Sequence, residues 1–276
     1  MTKKTFAIIG KPLTHSLSPT LHGYWNKKYK FDANYQLLEI EEEEIKDVIN
    51  KIKQKKIAGV NVTLPYKQKV IPYLDKLIND AEKCKSVNTI YLNSEGLIVG
   101  DNTDVYGLQA GYLKEITDIN PNKNKSLIIG AGGVSPSVIL ALVKSNINDI
   151  TVVNRTQEKL LSLKKEFPAI KIMNWQNLEE EIKTYDLIIN ATSLGLKNNN
   201  DFEFMFKNFK ETMVYIDIIY NPLKTKMIKH LEASNIKTYN GLDMFIYQGQ
   251  KSFYLWNKIN PEIDNELIEL LHNKIK

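Results

Sequence analysis

The order of apolar and polar positions divides the chain into short buried-strand patterns and amphipathic helical stretches. Phe6-Ala7-Ile8-Ile9 is an apolar run ending in the turn Gly10-Lys11-Pro12, and it reads as a buried strand. Ser16-Leu17-Ser18-Pro19 then opens a helix through Tyr29, with Ser18 as its cap and Pro19 in the first turn, where the missing N–H has no helical partner anyway. Tyr35–Ile40 is a second strand. From Glu41 to Glu44 four acids begin a helix whose far end carries Lys51, Lys53, Lys55 and Lys56, so charge matches the helix dipole and the run reads as a solvated face. Val60–Thr63 is a third strand, ended by Leu64-Pro65, and a helix is expected from Lys67 to Leu77. After a further short helix, Val87–Leu92 and Leu97–Val99 make a hairpin around Asn93-Ser94-Glu95-Gly96.

From Ser126 the alternation becomes regular. Strands are expected at Leu127–Ile129, Ile150–Val153, Ile170–Met173, Leu187–Asn190 and Val214–Ile218, with helices running to Ser145 and over Gln157–Phe167. Repeated βα units of this kind imply a parallel sheet covered on both faces. The polar segment Thr117–Lys125, containing Asn120-Pro121-Asn122-Lys123-Asn124, has loop composition and marks a nearby change of domain. Leu242–Trp256 and Pro261–Ile275 carry apolar residues at helical spacing. There is no internal repeat.

Composition narrows the function class. A length of 276 residues is about two domains at roughly 150 residues each, and 43% apolar with 25% charged residues is an ordinary globular balance. The net charge of +5 comes from lysines interleaved with Asp and Glu, so no basic stripe tracks phosphates and nucleic acid is not an expected partner. Cys84 stands alone and His15, His22, His230 and His272 fall in no ligand spacing, which suits a reducing cytoplasm and leaves no expected metal site. Lys3 and Lys4 precede only the short run Phe6–Gly10, too little for a signal peptide. Leu127–Val143 is broken by Ser135-Pro136-Ser137 and falls short of the roughly 20 residues of a membrane span. No membrane role is expected.

The strongest local chemistry is Gly130-Ala131-Gly132-Gly133-Val134-Ser135, directly after an apolar strand and before a helix. In that context the first glycine permits a tight turn, the second lets backbone approach a pyrophosphate, and the helix N-terminus supplies N–H groups to the anion. Ser135 takes the third glycine position, which is tolerated if helix and strand pack slightly wider. The next strand ends Asn154-Arg155-Thr156, with no acid to hold the ribose hydroxyls of NAD. A guanidinium there can pair with a 2′-phosphate and stack on adenine, while Asn154 and Thr156 add uncharged hydrogen bonds. Of the 37 basic side chains Arg155 is the sole arginine, which favours this role over that of a surface-loop cation.

Lys67 is expected at a helix N-terminus, against the dipole preference for cations. Asp104, in Gly100-Asp101-Asn102-Thr103-Asp104, is available either as a helix cap or as partner to a buried lysine, and capping is the simpler reading of the residues alone.

Taken in order, these motifs resemble those of the shikimate dehydrogenase family. The set is Ser16-Leu17-Ser18 with Pro19, Asn61-Val62-Thr63 with Pro65 and Lys67, Val87-Asn88-Thr89, Asn102-Thr103-Asp104 with Gly107, the glycine turn, Asn154-Arg155-Thr156, Asn190-Ala191-Thr192-Ser193, Asp217 with Tyr220-Asn221-Pro222, and Gly241-Leu242-Asp243-Met244 with Gln248. The resemblance covers nearly the whole chain, and its specificity lies in the set. It implies two α/β domains: a substrate domain of residues 1–103 rejoined by 240–276, and a Rossmann-like, doubly wound NADP-binding domain of residues 104–239.

The resemblance also implies residue roles. Ser16 and Ser18 would bind the shikimate carboxylate with Tyr220 nearby, Thr63, Asn88, Asp104 and Gln248 would hold the ring hydroxyls, and Lys67 with Asp104 would form the catalytic pair. Gly130, Ala131, Gly132, Gly133, Val134, Asn154, Arg155, Thr156 and Lys159 would hold NADP, and backbone at Ile218 and Gly241 would line the nicotinamide. The implied reaction is reversible NADPH-dependent reduction of 3-dehydroshikimate to shikimate, a step toward chorismate and the aromatic amino acids, by a cytoplasmic monomer or homodimer. Two departures lie at the phosphate grip: Pro136-Ser137 stands where many members have a basic residue, and Lys159 replaces a frequent arginine, keeping charge without the planar fork. Competing readings are a quinate and shikimate dehydrogenase with relaxed cofactor use, which an acid near Asn154 would favour, and a regulator that kept the fold without turnover, against which Lys67 and Asp104 argue.

Overall fold

The computed structural model describes residues 3–119, 125–196 and 200–275, and the chain divides into two compact units, Met1–Gly107 with Ile246–Lys274 and Leu108–Phe245 with Ile275–Lys276. The Asn120–Asn124 stretch of the expected inter-domain loop lies outside the described residues.

The first unit holds six strands, β1 (Lys4–Gly10), β2 (Ala33–Glu39), β3 (Gly59–Val62), β4 (Lys76–Leu77), β5 (Thr89–Leu92) and β6 (Ile98–Asp101), in the order β2-β1-β3-β5-β6-β4. β1 runs parallel to β2 and β3, whereas β5 is antiparallel to both β3 and β6. One face carries Ala7 and Ile9, and Ile45, Val48, Ile49 and Ile52 pack into the same core cluster. Those four lie on the helix Ile45–Lys53 at the spacing that makes one apolar stripe. The chain's end returns to this unit: Tyr24 donates to Asp264 Oδ2 at 2.8 Å and Trp25 Nε1 to the Glu262 carbonyl at 2.9 Å, with a final helix Asn265–Lys274.

Several local expectations are corrected here. No helix spans Lys67–Leu77; the segment is a run of turns, a single 3-10 turn Ile71–Tyr73 and the short β4. Pro72 explains this, since it lacks the N–H of a helix interior and its ring disfavours helical backbone at the residue before it. Ser18 is not a cap but the first residue of the helix Ser18–Lys28, and its N–H is taken by the Ser16 hydroxyl at 3.3 Å. The last helix starts at Asn265, four residues after Pro261.

The second unit is a parallel sheet of β7 (Lys125–Ile129), β8 (Asp149–Val153), β9 (Lys171–Met173), β10 (Leu187–Asn190), β11 (Val214–Asp217) and β12 (Lys237–Tyr239), in the order β12-β11-β10-β7-β8-β9. Leu127, Ile128, Ile129, Ile188 and Ile189 are all fully buried, as continuous apolar strands covered on both faces require. β12 and the helix Lys226–Glu232 carry no strong signal in the sequence pattern and complete the doubly wound order. The strand order reverses between β7 and β10, so ligand chemistry belongs at their C-terminal ends. Among the described residues no helix is long and apolar enough to cross a membrane.

Candidate active site

Lys67 sits in the turns that follow β3, where its carbonyl accepts from Val87 N at 2.8 Å. Lys67 therefore lies at no helix N-terminus, and an ion pair holds it instead. Lys67 Nζ donates to Asp104 Oδ2 at 2.5 Å, with side chains only 14% and 7% exposed. Asp104 begins the short helix Asp104–Leu108, yet it is not the cap: Asn102 Oδ1 accepts from Asp104 N at 3.1 Å and Val105 N at 3.3 Å. Because Asn102 satisfies those donors, the Asp104 carboxylate is left to Lys67 and to Asn88, whose Nδ2 donates to Asp104 Oδ1 at 2.9 Å. The simpler reading of Asp104 is thus overturned by its neighbour two residues back.

Asn88 is itself held on both sides. Its Oδ1 accepts from Thr103 N at 2.8 Å, and its Nδ2 also reaches Gln248 Oε1 at 3.3 Å. Behind it lies a cluster that sequence reasoning missed. Ser252 Oγ lies 2.7 Å from Thr89 Oγ1 and 3.1 Å from Thr103 Oγ1, accepts from Asn61 Nδ2 at 3.1 Å, and donates to the Gln248 carbonyl at 3.1 Å. Tyr35 closes the chain by donating to Asn61 Oδ1 at 2.7 Å. Asn61, Asn88, Thr89, Thr103 and Ser252 are buried, and each finds a partner, as polar groups out of water must. Ser252 lies in the long helix Leu242–Asn257, where a lone serine gives no pattern to find it by.

Ser16 and Thr63 sit on loops that leave the parallel strands β1 and β3, and Ser18 opens the helix at the end of the first loop. Those loops are cross-linked by Lys11 N to the Leu64 carbonyl at 2.9 Å and by Thr63 N to the Ile9 carbonyl at 2.9 Å. Ser16 and Ser18 bond to each other, Oγ to Oγ, at 3.2 Å. Tyr220 belongs to the second unit, where its ring packs 4.7 Å from Phe245.

In the second unit the turn after β7 is fixed by two glycines used differently. Gly130 has φ +115°, and a Cβ there would stand 2.8 Å from Thr192 Cγ2 and 2.9 Å from the Ala191 carbonyl beyond β10. Only glycine fits at that switch point. Gly132 meets no atom within 4 Å where its Cβ would be, so its backbone is open to a ligand. Ser135, in the third glycine position, makes a latch: its hydroxyl donates to the Gly130 carbonyl at 2.9 Å and accepts from Gly132 N at 3.1 Å. Ala131, Gly133 and Val134 line the same partly exposed turn ahead of the helix Ser135–Lys144. Asn154, past β8, accepts from Ala131 N at 3.2 Å and donates to the Thr156 carbonyl at 3.0 Å, tying the two loops together. Arg155, Thr156 and Lys159 are exposed.

Further along the same strand ends, Gly241 N donates to the Ile219 carbonyl at 2.8 Å, and a Cβ on Gly241 would fall 2.0 Å from the Ile218 carbonyl. Any side chain would push that backbone away. Asp217 anchors the segment from below. Its Oδ1 accepts from Asn190 Nδ2 and Ile219 N, both at 3.1 Å, and its Oδ2 from Thr225 Oγ1 at 2.9 Å and Tyr215 at 3.4 Å. With burial outweighing these four neutral donors, the carboxyl is pushed up to about 7.

Residues 8–90 match the family model of the shikimate dehydrogenase substrate binding domain, and residues 113–240 that of shikimate / quinate 5-dehydrogenase. A curated relative from Pelagibacter ubique, shikimate dehydrogenase (NADP(+)), is 46% identical over 98% of this chain and 99% of its own length. The chain belongs to the shikimate dehydrogenase family. Among solved structures similar to this family member, a shikimate dehydrogenase in complex with NADP+ is 35% identical with a TM-score of 0.86, covering 99% of this chain and 94% of the other. That from Thermus thermophilus, in complex with NADP(H) and shikimate, is 27% identical with a TM-score of 0.84, covering 98% and 99%. The family's two matched models fall one on each unit, substrate binding on the first and the dehydrogenase proper on the second.

Proposed function

We propose that this protein reduces 3-dehydroshikimate to shikimate reversibly with NADPH, a step toward chorismate and the aromatic amino acids, and that Lys67 and Asp104 are its catalytic pair. The observation that carries the reading is the enclosed Lys67–Asp104 ion pair with Asn88 on the second carboxylate oxygen. Ser16 and Ser18 bind the substrate carboxylate with help from Tyr220, and Thr63, Asn88, Asp104 and Gln248 hold the ring hydroxyls. The residues of the second unit suit a phosphorylated dinucleotide: the bare backbone at Gly132, the helix N-terminus at Ser135, and an arginine that forms no ion pair among the described residues. Gly130, Ala131, Gly132, Gly133 and Val134 hold the pyrophosphate, Asn154, Arg155, Thr156 and Lys159 the adenosine 2′-phosphate, and Ile218 with Gly241 the nicotinamide side.

The bound cofactor supplies a hydride equivalent to the ketone carbon. Negative charge then develops on the ketone oxygen, and Lys67 Nζ donates a proton to it; in the oxidation direction the same nitrogen accepts the hydroxyl proton. Asp104 holds the ammonium through its Oδ2 and presents its other oxygen, shared with Asn88, toward the substrate. We place the enzyme in the cytoplasm, which suits its single, buried cysteine, as a monomer or homodimer.

An absorbance assay for NADPH formation from shikimate and NADP, repeated with quinate and with NAD, tests the reading. Turnover with shikimate and NADP is expected to exceed the other combinations. Faster turnover of quinate with NAD supports the relaxed quinate enzyme, and none in any combination despite cofactor binding supports a regulator. Arg155→Ala is expected to weaken NADP binding by roughly ten- to a hundredfold, the scale of a lost charge-assisted contact, and NAD far less. Equal losses would remove the phosphate role.

A further inference from the structure

Arg155 is the chain's sole arginine, and its guanidinium lies over the indole of Trp175, 5.9 Å from Cζ to the ring centre. It forms no ion pair among the described residues. Trp175 follows β9, in the 3-10 turn Trp175–Asn177, so the contact joins the loops that leave two neighbouring strands, β8 and β9. The indole is half-buried and packs against the core cluster of Val153, Leu178 and Ile182, so its position is set by the fold. The arginine's backbone is set as well, because Asn154 bonds both to the glycine turn and to Thr156. A guanidinium held over an aromatic ring keeps its edge N–H groups for a bidentate anion.

We infer that Trp175 is a positioning residue for cofactor choice: it backs the Arg155 guanidinium and presents it, already oriented, to a phosphate on the adenosine ribose. This rests on the NADP reading above. Orientation matters because a free arginine loses side-chain freedom when it clamps a ligand, and one already resting over an indole has lost part of it beforehand. Lys159, exposed on the next helix, adds charge without this planar pre-orientation. Trp175 touches no reacting group, so the inference concerns binding and its selectivity, not the rate of chemistry.

A double-mutant cycle read by isothermal titration of NADP and NAD tests it, using the wild-type chain, Trp175→Ala, Trp175→Phe, Arg155→Ala and the Trp175→Ala/Arg155→Ala pair. Trp175→Ala is expected to weaken NADP roughly fivefold and NAD less than twofold, the scale of an exposed cation–π contact. Trp175→Phe recovers most of the loss. In the Arg155→Ala background the tryptophan change is expected to do nothing further to NADP. A loss that persists in that background, or that is equal for both cofactors, overturns the inference and leaves the 2′-phosphate reading of Arg155 standing. If Arg155→Ala itself leaves NADP affinity unchanged, the inference and the NADP reading fall together. Thermal unfolding of Trp175→Ala without ligand separates a damaged fold from a loosened arginine, and near wild-type melting is expected.

Discussion

Asp104 in the first unit and Asp217 in the second are both buried carboxyls, and they are solvated by opposite means. Asp104 has a lysine at 2.5 Å and an amide, while Asp217 has two hydroxyls, an amide and a backbone N–H, and no cation among the described residues. Burial penalises a lone charge, and only a paired countercharge or a proton relieves it. The first arrangement sets an ammonium and a carboxylate face to face, which suits the proposed proton transfer. The second makes a fastening that can be neutral, tying the ends of β10 and β11 to the helix Lys226–Glu232. A carboxyl's job is therefore decided by whether a cation reaches it, which the residue letter does not show.

Removing the cation gives the largest expected effect. Lys67→Ala should lower turnover by roughly a hundredfold or more, with little change in shikimate binding, because a proton donor acts in the transition state. Near-normal turnover in steady-state kinetics would take Lys67 out of the mechanism and erase the contrast.

The next effect is a pH slope. Asp217 titrates near 7 in the fold and near the ordinary carboxylate value when unfolded, so between about pH 4 and 7 the folded chain holds a proton that the unfolded chain has released. The stability contributed by that proton is full below about pH 4 and is lost as pH rises to about 7. In Asp217→Asn this slope should vanish from urea-unfolding curves, while the fold persists: the amide keeps its oxygen toward Asn190 and Ile219, and the hydroxyls of Thr225 and Tyr215 can turn to accept. An unchanged slope in the variant would assign it to other groups.

The smallest effect sharpens the first unit. Ser252→Ala removes the centre of the hydroxyl cluster behind Asn88 and should reduce kcat roughly fivefold, about one hydrogen bond, with NADP affinity untouched. A matching loss of NADP affinity would mean general damage instead.

Much of the second unit is legible in the chain, because β7 and β8 are continuous apolar runs and the glycine turn sits between strand and helix. The first unit is less so. Across Lys67–Leu77 a helix is expected, yet Pro72 dictates turns, and Lys67 therefore meets no helix dipole. The Ser252 cluster and the Trp175 contact join positions distant in sequence or on different loops, with common residue types and no fixed spacing. Such juxtapositions exist only after folding. Asn102 is intermediate: it stands beside Asp104 in the motif, but that it caps the helix, and thereby releases Asp104, depends on side-chain direction.

The two glycines Gly132 and Gly241 carry a consequence for anyone evolving this enzyme. A methyl group on Gly132 meets no protein atom within 4 Å, whereas one on Gly241 would meet the Ile218 carbonyl at 2.0 Å. A library sorted for soluble expression alone would discard variants at 241 and keep them at 132. If Gly132 lies against the pyrophosphate as proposed, tolerance there is governed by the ligand instead of the scaffold, which makes that position a place to redesign cofactor acceptance without eroding the margin of stability.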